Sequence, residues 1–258
     1  MKYVENFKKY RYLLWELIKK EIKLKYRRSY LGVLWTLLEP LLTMIVLSVV
    51  FSQLRGSDDV AFPVFILTGR LLYTFFTTST KSALKSIHRN GSMIRKVYVP
   101  KYIYPLSTIF SNYIIFAISL IDLIGVAIVC KVTPSWYMLE ALVPLITILL
   151  MSIGVGMILS TMAVFFRDLE YLWSVATMII FYCSAIFYEP AKVMKSGFGW
   201  IFRINPVYSC ILNFRNAVLY KIPLDAFSTW YPLVFSLVTI VFGTWLFYKK
   251  QDEFILNL

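Results

Sequence analysis

Charge is scarce in this sequence, and the usual signatures of catalysis are missing. Only 16% of the 258 residues are Asp, Glu, Lys or Arg. A water-soluble domain of that length needs more charge to cover its surface, so a bilayer is the expected solvent. The one histidine, His88, stands in a basic stretch where a solvated surface role fits better than catalysis. Cys130, Cys183 and Cys210 lack metal-ligand spacing and are too few for a disulfide framework, so they read as ordinary buried thiols. There is no Gly-x-x-x-x-Gly-Lys phosphate loop, no His-Glu-x-x-His, no Gly-x-Ser-x-Gly and no pair of carboxylates within an apolar run. The chain is therefore not expected to be an enzyme or to hold a cofactor, and active transport would draw its energy from another subunit. The first 30 residues are charged throughout, without an apolar run ending in small residues, so no cleavable signal peptide is expected.

What is present is apolarity: 59% of residues are hydrophobic and 17% aromatic. Crossing the hydrocarbon core takes about 20 mostly apolar residues, and six segments qualify: 34–54, 62–80, 106–129, 139–166, 172–188 and 230–248. The net charge of +13 raises the question of nucleic acid, but the cations follow membrane topology instead. With the N-terminus inside, 19 Lys and Arg fall on the cytoplasmic side and 7 outside, with Arg70 left within a span. Cytoplasmic retention of Lys and Arg sets orientation, so both termini are expected in the cytoplasm and nucleic acid is not an expected partner.

The fold expected is an all-α integral membrane protein of six transmembrane helices forming a single domain, 1–258. Before the first span, in the region 1–30, Tyr10, Leu13, Leu14, Leu17, Ile18, Ile22 and Leu24 recur at helical spacing, with Lys and Glu on the other face. Such an amphipathic helix lies along the inner membrane surface or packs on another protein, and the two roles can coexist. Two connections are long enough to carry structure: a basic cytoplasmic one, 81–104, and an external one, 189–229. The external one is too interrupted and polar to span, so short helices in the outer interface are expected.

Four stretches resemble a known family. Leu31, Gly32, Trp35, Leu38, Pro40 and Leu41 are similar to an LGxxWxxLxPL approach to the first span. Asn90, Ile94, Lys96 and Pro100 match a cytoplasmic NxxLIxKxxFP loop, with Met93 and Val99 at its leucine and phenylalanine positions. Phe166, Arg167, Asp168, Leu169, Glu170 and Tyr171 form the turn between the fourth and fifth spans. Ser184, Ile186, Phe187 and Tyr188, followed by Asn205-Pro206 and Phe214-Arg215, resemble an SPxxYP…NP…FR segment, with Ala185 at the proline position. In this order and on these membrane sides, they resemble the permease subunits of type-2 ABC exporters for O-antigen, capsule and teichoic-acid polymers.

The resemblance implies a homodimer in the bacterial plasma membrane with two separate ATP-binding subunits, which hold ATP and magnesium. It implies a polymer on a polyprenyl pyrophosphate or similar lipid, with the permease dimer as conduit. It also makes Asn90 to Pro100 a coupling helix docked in a groove of the ATPase. Met93, Ile94 and Tyr98 supply a compact apolar face there, Arg95 and Lys96 reach acidic partner residues, and Pro100 stops the helix. A basic loop that merely enforces topology is the plainer reading. The external segment resembles gate helices, with Tyr188, Asn205, Pro206 and Arg215 in its motif.

Other residues stand out on their own chemistry. Arginine within a span costs roughly 2.5–3.5 kcal/mol on insertion scales and faces a partner or water. Arg70 and Asp122 count to similar depths, so either they pair or Arg70 faces the conduit. Aromatic rings grip sugar C–H faces loosely, as sliding transport of a polymer requires, and they equally pack on lipid and helices. Tyr73, Phe76, Phe181 and Tyr182 are the first candidates. Glu39, beside Pro40, faces either a polar entrance for a lipid-linked headgroup or ordinary interfacial water. Lys25, Arg27 and Arg28 gather its pyrophosphate or simply hold topology. Arg167 and Asp168 form a second ATPase contact or a turn tied by its own charges. The competing functions are a type-2 ABC exporter of a small drug or lipid and a membrane enzyme acting on polyprenyl lipids.

Overall fold

A helix satisfies its own backbone N–H and C=O groups within one apolar segment, which lipid demands. Among the described residues the chain is helical, with no strand. The computed structural model describes residues 2–27, 29–55, 61–96, 99–190, 197 and 199–257. In order they form α1 (Lys2–Tyr26), a 3₁₀ turn (Gly32–Leu34), α2 (Trp35–Arg55), α3 (Phe62–Arg89), α4 (Gly91–Lys96) and α5 (Ile103–Val129). A second 3₁₀ turn (Trp136–Ala141) leads into α6 (Leu142–Phe165) and α7 (Leu169–Tyr182). Then come α8 (Trp200–Ile204), α9 (Pro206–Arg215) with a π-helical turn (Asn216–Tyr220), α10 (Ala226–Lys250), a third 3₁₀ turn (Gln251–Glu253) and α11 (Phe254–Asn257).

Four helical stretches among the described residues are long and apolar enough to cross a membrane: Gly32–Phe51, Ile103–Val129, Trp136–Phe165 and Ala226–Glu253. The other two expected spans differ in instructive ways. At 28 residues, α3 has the length, but Arg70, its threonines and a basic C-terminal end dilute its apolarity. Helix α7 is apolar but stops at Tyr182 after 14 residues. The segment read as helical to residue 188 breaks because Ala185 takes a left-handed conformation, φ 46°.

The core centres on α6, packed against α3, α5 and α10. Without a hydrophobic drive between helices in lipid, small residues let backbones approach. A Cβ on Gly154 of α6 would stand 2.7 Å from the Ile240 backbone nitrogen of α10, and one on Gly243 would stand 2.8 Å from the Gly154 carbonyl. A second cluster lies where α3 meets α4. Leu14, Leu17 and Ile18 of α1 pack with Ile87, Ile94, Ile103, Phe247 and Phe254. The apolar stripe of α1 is thus turned onto the chain's own helix ends, while Tyr12 and Trp15 stay exposed. The C-terminal turn closes this cluster: the Phe254 ring is fully buried, edge-on to Phe247 at 5.2 Å and near Phe165 at 6.1 Å. Lys101 stands 5.8 Å over the Phe254 ring and donates to the Gln251 carbonyl. Burial lowers the Lys101 pKa, partly offset by the Asp252 charge.

Candidate functional site

Asn90 is the corner between α3 and α4. Its side-chain amide donates to the Ser86 carbonyl at 2.9 Å, closing the last turn of α3, and its own carbonyl accepts from Met93 and Ile94 at 3.0 Å, opening α4. The expected docking face of α4 is corrected in one respect. Ile94 is 7% exposed and packs into the cluster with Leu14, Ile87 and Phe254. An aliphatic side chain on a six-residue helix gains most by burial, so Ile94 anchors α4 from within. Met93 is half-buried against the same cluster, leaving Arg95 and Lys96 to face outward. Pro100 is half-buried, and Tyr98 lies outside the described residues.

Arg167 and Asp168 occupy the exposed turn between α6 and α7, where the Asp168 carbonyl accepts from Tyr171 and Leu172 at 3.1 Å. No ion pair joins Arg167 to Asp168 among the described residues, so the turn is held by backbone bonds and not by its own charges. Nearby, His88 is exposed, and its Nε2 donates to the Ala163 carbonyl at 3.0 Å, tying α3 to the end of α6.

Farther along α3, Arg70 lies 6.0 Å from the Phe181 ring of α7. Tyr73 donates its hydroxyl to the Thr177 carbonyl at 2.8 Å and meets the Phe181 ring at 5.0 Å. Arg70, Tyr73, Phe181 and Tyr182 share one cavity of about 280 Å³ with Lys81, Ser174 and Thr177. Phe76 does not belong to it. It is 3% exposed and packs on Trp173 at 6.3 Å, because it stands on the α3 face that meets the core. Nor does Arg70 pair with Asp122. No ion pair joins them among the described residues, and Asp122 is buried on α5 without lining this cavity. Equal depth along two helices leaves rotation about each axis undetermined, and one residue turns a helix by about 100°.

Beside this cavity, a second of about 270 Å³ brings Lys25, Tyr26, Glu39, Pro40 and Arg70 together. Burial lowers the Lys25 pKa, and the Glu39 charge works against that shift. Pro40 has no N–H to give the Thr36 carbonyl. Ser119 of α5 supplies the missing donor at 2.9 Å. Arg27 is exposed and does not line this cavity, and Arg28 lies outside the described residues.

On the far side, Asn205 ties the broken end of α7 to α9. Its side-chain oxygen accepts from Val207 and Tyr208 at 3.0 and 3.3 Å, while its amide donates to the Cys183 carbonyl and the Ser184 hydroxyl at 3.0 Å. Pro206 occupies the first turn of α9, where no N–H is needed. Arg215 is 2% exposed; its guanidinium donates to the carbonyls of Ala185, Ile186 and Phe65 at 2.9–3.1 Å and lies 3.5 Å over the Phe65 ring. Gly69 leaves room for it, since a Cβ there would stand 2.7 Å from the guanidinium. Tyr188 donates to the Tyr182 carbonyl at 2.5 Å and stacks edge-on with Phe187 and Phe202.

Residues 12–219 match the family model described as ABC-2 type transporter. The chain belongs to the ABC-2 type transporter family. It is 32% identical over 206 residues to the O-antigen export system permease protein RfbA of Klebsiella pneumoniae, covering 79% of each chain. It is 27% identical over 253 residues to the protein of the same name from Myxococcus xanthus, covering 97% of each. It is 22% identical over 245 residues to the polysialic acid transport protein KpsM of Escherichia coli, covering 92% of this chain and 93% of that one. With four helices long and apolar enough to cross a membrane among the described residues, this ABC-2 chain is a multi-pass membrane protein. Its cavities include groups the sequence reading passed over: Thr74, Thr78, Lys81, Lys85 and Arg89 on α3, and Ser174 and Thr177 on α7. The α3 members were signalled as polar residues three and four apart, the spacing of one helix face.

Proposed function

We propose that this ABC-2 chain is the membrane-spanning permease of an ATP-driven exporter of lipid-linked polysaccharide, of the O-antigen, capsule or teichoic-acid class. It acts as a homodimer, with two separate subunits binding ATP and magnesium. In this reading all six apolar segments span, both termini are cytoplasmic, and the single domain 1–258 includes a coupling segment at 81–104 and an outer gate at 189–229. The cation asymmetry, the four motifs and the permease relatives support it.

One observation carries the mechanism. Asn90 hinges α4 directly onto α3, the helix bearing Arg70 and Tyr73. At 1.5 Å per residue α3 is about 42 Å long. A push on Arg95 and Lys96 by a nucleotide-driven partner is transmitted through the Ile94 anchor to a rigid rod lining the conduit. There Arg70, Tyr73, Phe181 and Tyr182 hold sugars through rings and one cation without deep, fixed hydrogen bonding. Lys25 and Glu39 mark the lipid headgroup's entrance. On the outside, Asn205 and Arg215 hold the gate helices to α3 and α7. The test is copurification of the ATP-binding subunit with the Arg95→Glu/Lys96→Glu variant, alongside polymer export. Loss of both with normal permease levels is expected; full association and export would overturn the assignment of α4.

A further inference from the structure

Helix α3 carries a single polar stripe of Arg70, Thr74, Thr78, Lys81, Lys85 and Arg89, spaced three or four residues apart. Arg70, Thr74 and Thr78 line the Lys25–Glu39 cavity, and Thr78, Lys81, Lys85 and Arg89 line a cavity of about 650 Å³. This vestibule opens between α1, α3, α5 and α7 at the cytoplasmic-loop end of α3. Its lining holds Lys25, Lys81, Lys85 and Arg89 with Glu21 and Glu170, four cations to two carboxylates.

The carboxylates are placed unevenly. Glu170 of α7 pairs with Lys85, and Glu21 of α1 pairs with Arg89 at 2.5 Å. Lys81, between them and Arg70 on the stripe, has no ion pair among the described residues. Each pair tethers α3 to a different helix. Lys85 and Glu170 are about half-exposed, at 53% and 48%, and an ion pair of that kind contributes little net stability. Arg89 is 51% exposed but Glu21 only 13%, so that pair is open to an incoming anion on its cation side alone. A phosphate offers more charge and more acceptor oxygens than one carboxylate, and guanidinium binds it in a bidentate fork.

We propose that this vestibule binds a phosphate or pyrophosphate group of the transported molecule, and that Glu170 and Glu21 occupy its cations until that anion displaces them. Displacement frees α7 and α1 from α3, so loading and loosening are one event. Lys81 and then Arg70 continue the stripe toward the conduit and pass the anion along by charge alone. The proposal rests on the exporter reading and adds to it the chemistry that the cytoplasmic-loop end recognises.

The test is equilibrium binding to the full chain in nanodiscs, with farnesyl pyrophosphate, inorganic pyrophosphate and a glycerol-phosphate oligomer as probes. Lys85→Gln/Arg89→Gln is expected to weaken anion binding about tenfold. Glu170→Gln and Glu21→Gln are expected to tighten it several-fold by removing the competitor, with Lys249→Ala as a charge control away from the site. Preference for the farnesyl compound assigns the lipid headgroup as the source, and preference for the oligomer assigns phosphate within the polymer. Unchanged affinity in the Lys85/Arg89 variant, or weaker binding in both Glu variants, overturns the exchange. If the ATP-binding subunit still copurifies and polymer is still exported, that failure leaves the exporter reading intact; loss of subunit association from the unaltered protein would sink that reading instead.

Discussion

Ser119 of α5 donates its hydroxyl at 2.9 Å to the carbonyl of Thr36 on α2, the carbonyl that Pro40 leaves without a helical donor. Lipid supplies no water to fill such a gap, so this bond lets α2 carry a proline beside the Lys25–Glu39 cavity. Ser119→Ala should destabilise the protein by about 1–3 kcal/mol, the cost of a buried unsatisfied carbonyl. In a Pro40→Ala background residue 40 regains its N–H, and the same serine change should cost less. A double-mutant cycle on thermal unfolding measures this, and equal costs in both backgrounds would refute it.

Ala185 holds a left-handed backbone, φ 46°, while its carbonyl accepts from Arg215 at 2.9 Å. A left-handed conformation costs a non-glycine residue about 1–2 kcal/mol. Ala185→Gly should therefore raise the melting temperature. Ala185→Pro should prevent folding of the segment that follows α7, since proline fixes φ near −65°. A proline variant that unfolds like the parent would contradict the assigned backbone.

Gly154 and Gly243 are predicted to be intolerant. Gly154→Val should cost more than the ~1–3 kcal/mol of ordinary overpacking, because backbone atoms of α10 stand in the way. Gly125 on α5 has open space where a Cβ would stand, with no other atom within 4 Å, so Gly125→Ala is the neutral control. Yield of folded protein after detergent extraction separates the two.

Phe254 seals the cluster that also anchors Ile94. Phe254→Ala should destabilise it by roughly 3–5 kcal/mol, the usual cost of emptying an aromatic core site. Association of the ATP-binding subunit should fall with it, because α4 loses part of its support. Thermal unfolding and copurification give the two readouts.

Arg70 stands against Phe181 and not against Asp122. Arg70→Leu should therefore assemble normally while export drops by roughly tenfold, equivalent to about 1.4 kcal/mol. Asp122→Asn should not reproduce that defect. Misassembly of the leucine variant would show that Arg70 serves the fold instead.

Much of this protein was legible one residue at a time. Helical class, the apolar segments and the distribution of cations follow from composition and spacing, because a bilayer selects locally for apolar length and cytoplasmic positive charge. The motif residues led to the same family that the relatives share. The candidate site was legible in part. Arg70, Tyr73, Phe181 and Tyr182 do meet in one cavity, as do Lys25 and Glu39 in another.

Only the tertiary structure decided which way side chains turn. Counting residues gives depth along an axis, but rotation is set by what packs against each helix, often from a hundred residues away. So Ile94 points into the core, Phe76 packs against Trp173, Arg70 and Asp122 do not form an ion pair, and α7 stops short where Arg215 captures the Ala185 and Ile186 carbonyls. The vestibule cations were visible in the sequence as ordinary basic residues. Their partners Glu21 and Glu170 come from helices separated from α3 in the chain, and only folding brings those charges together.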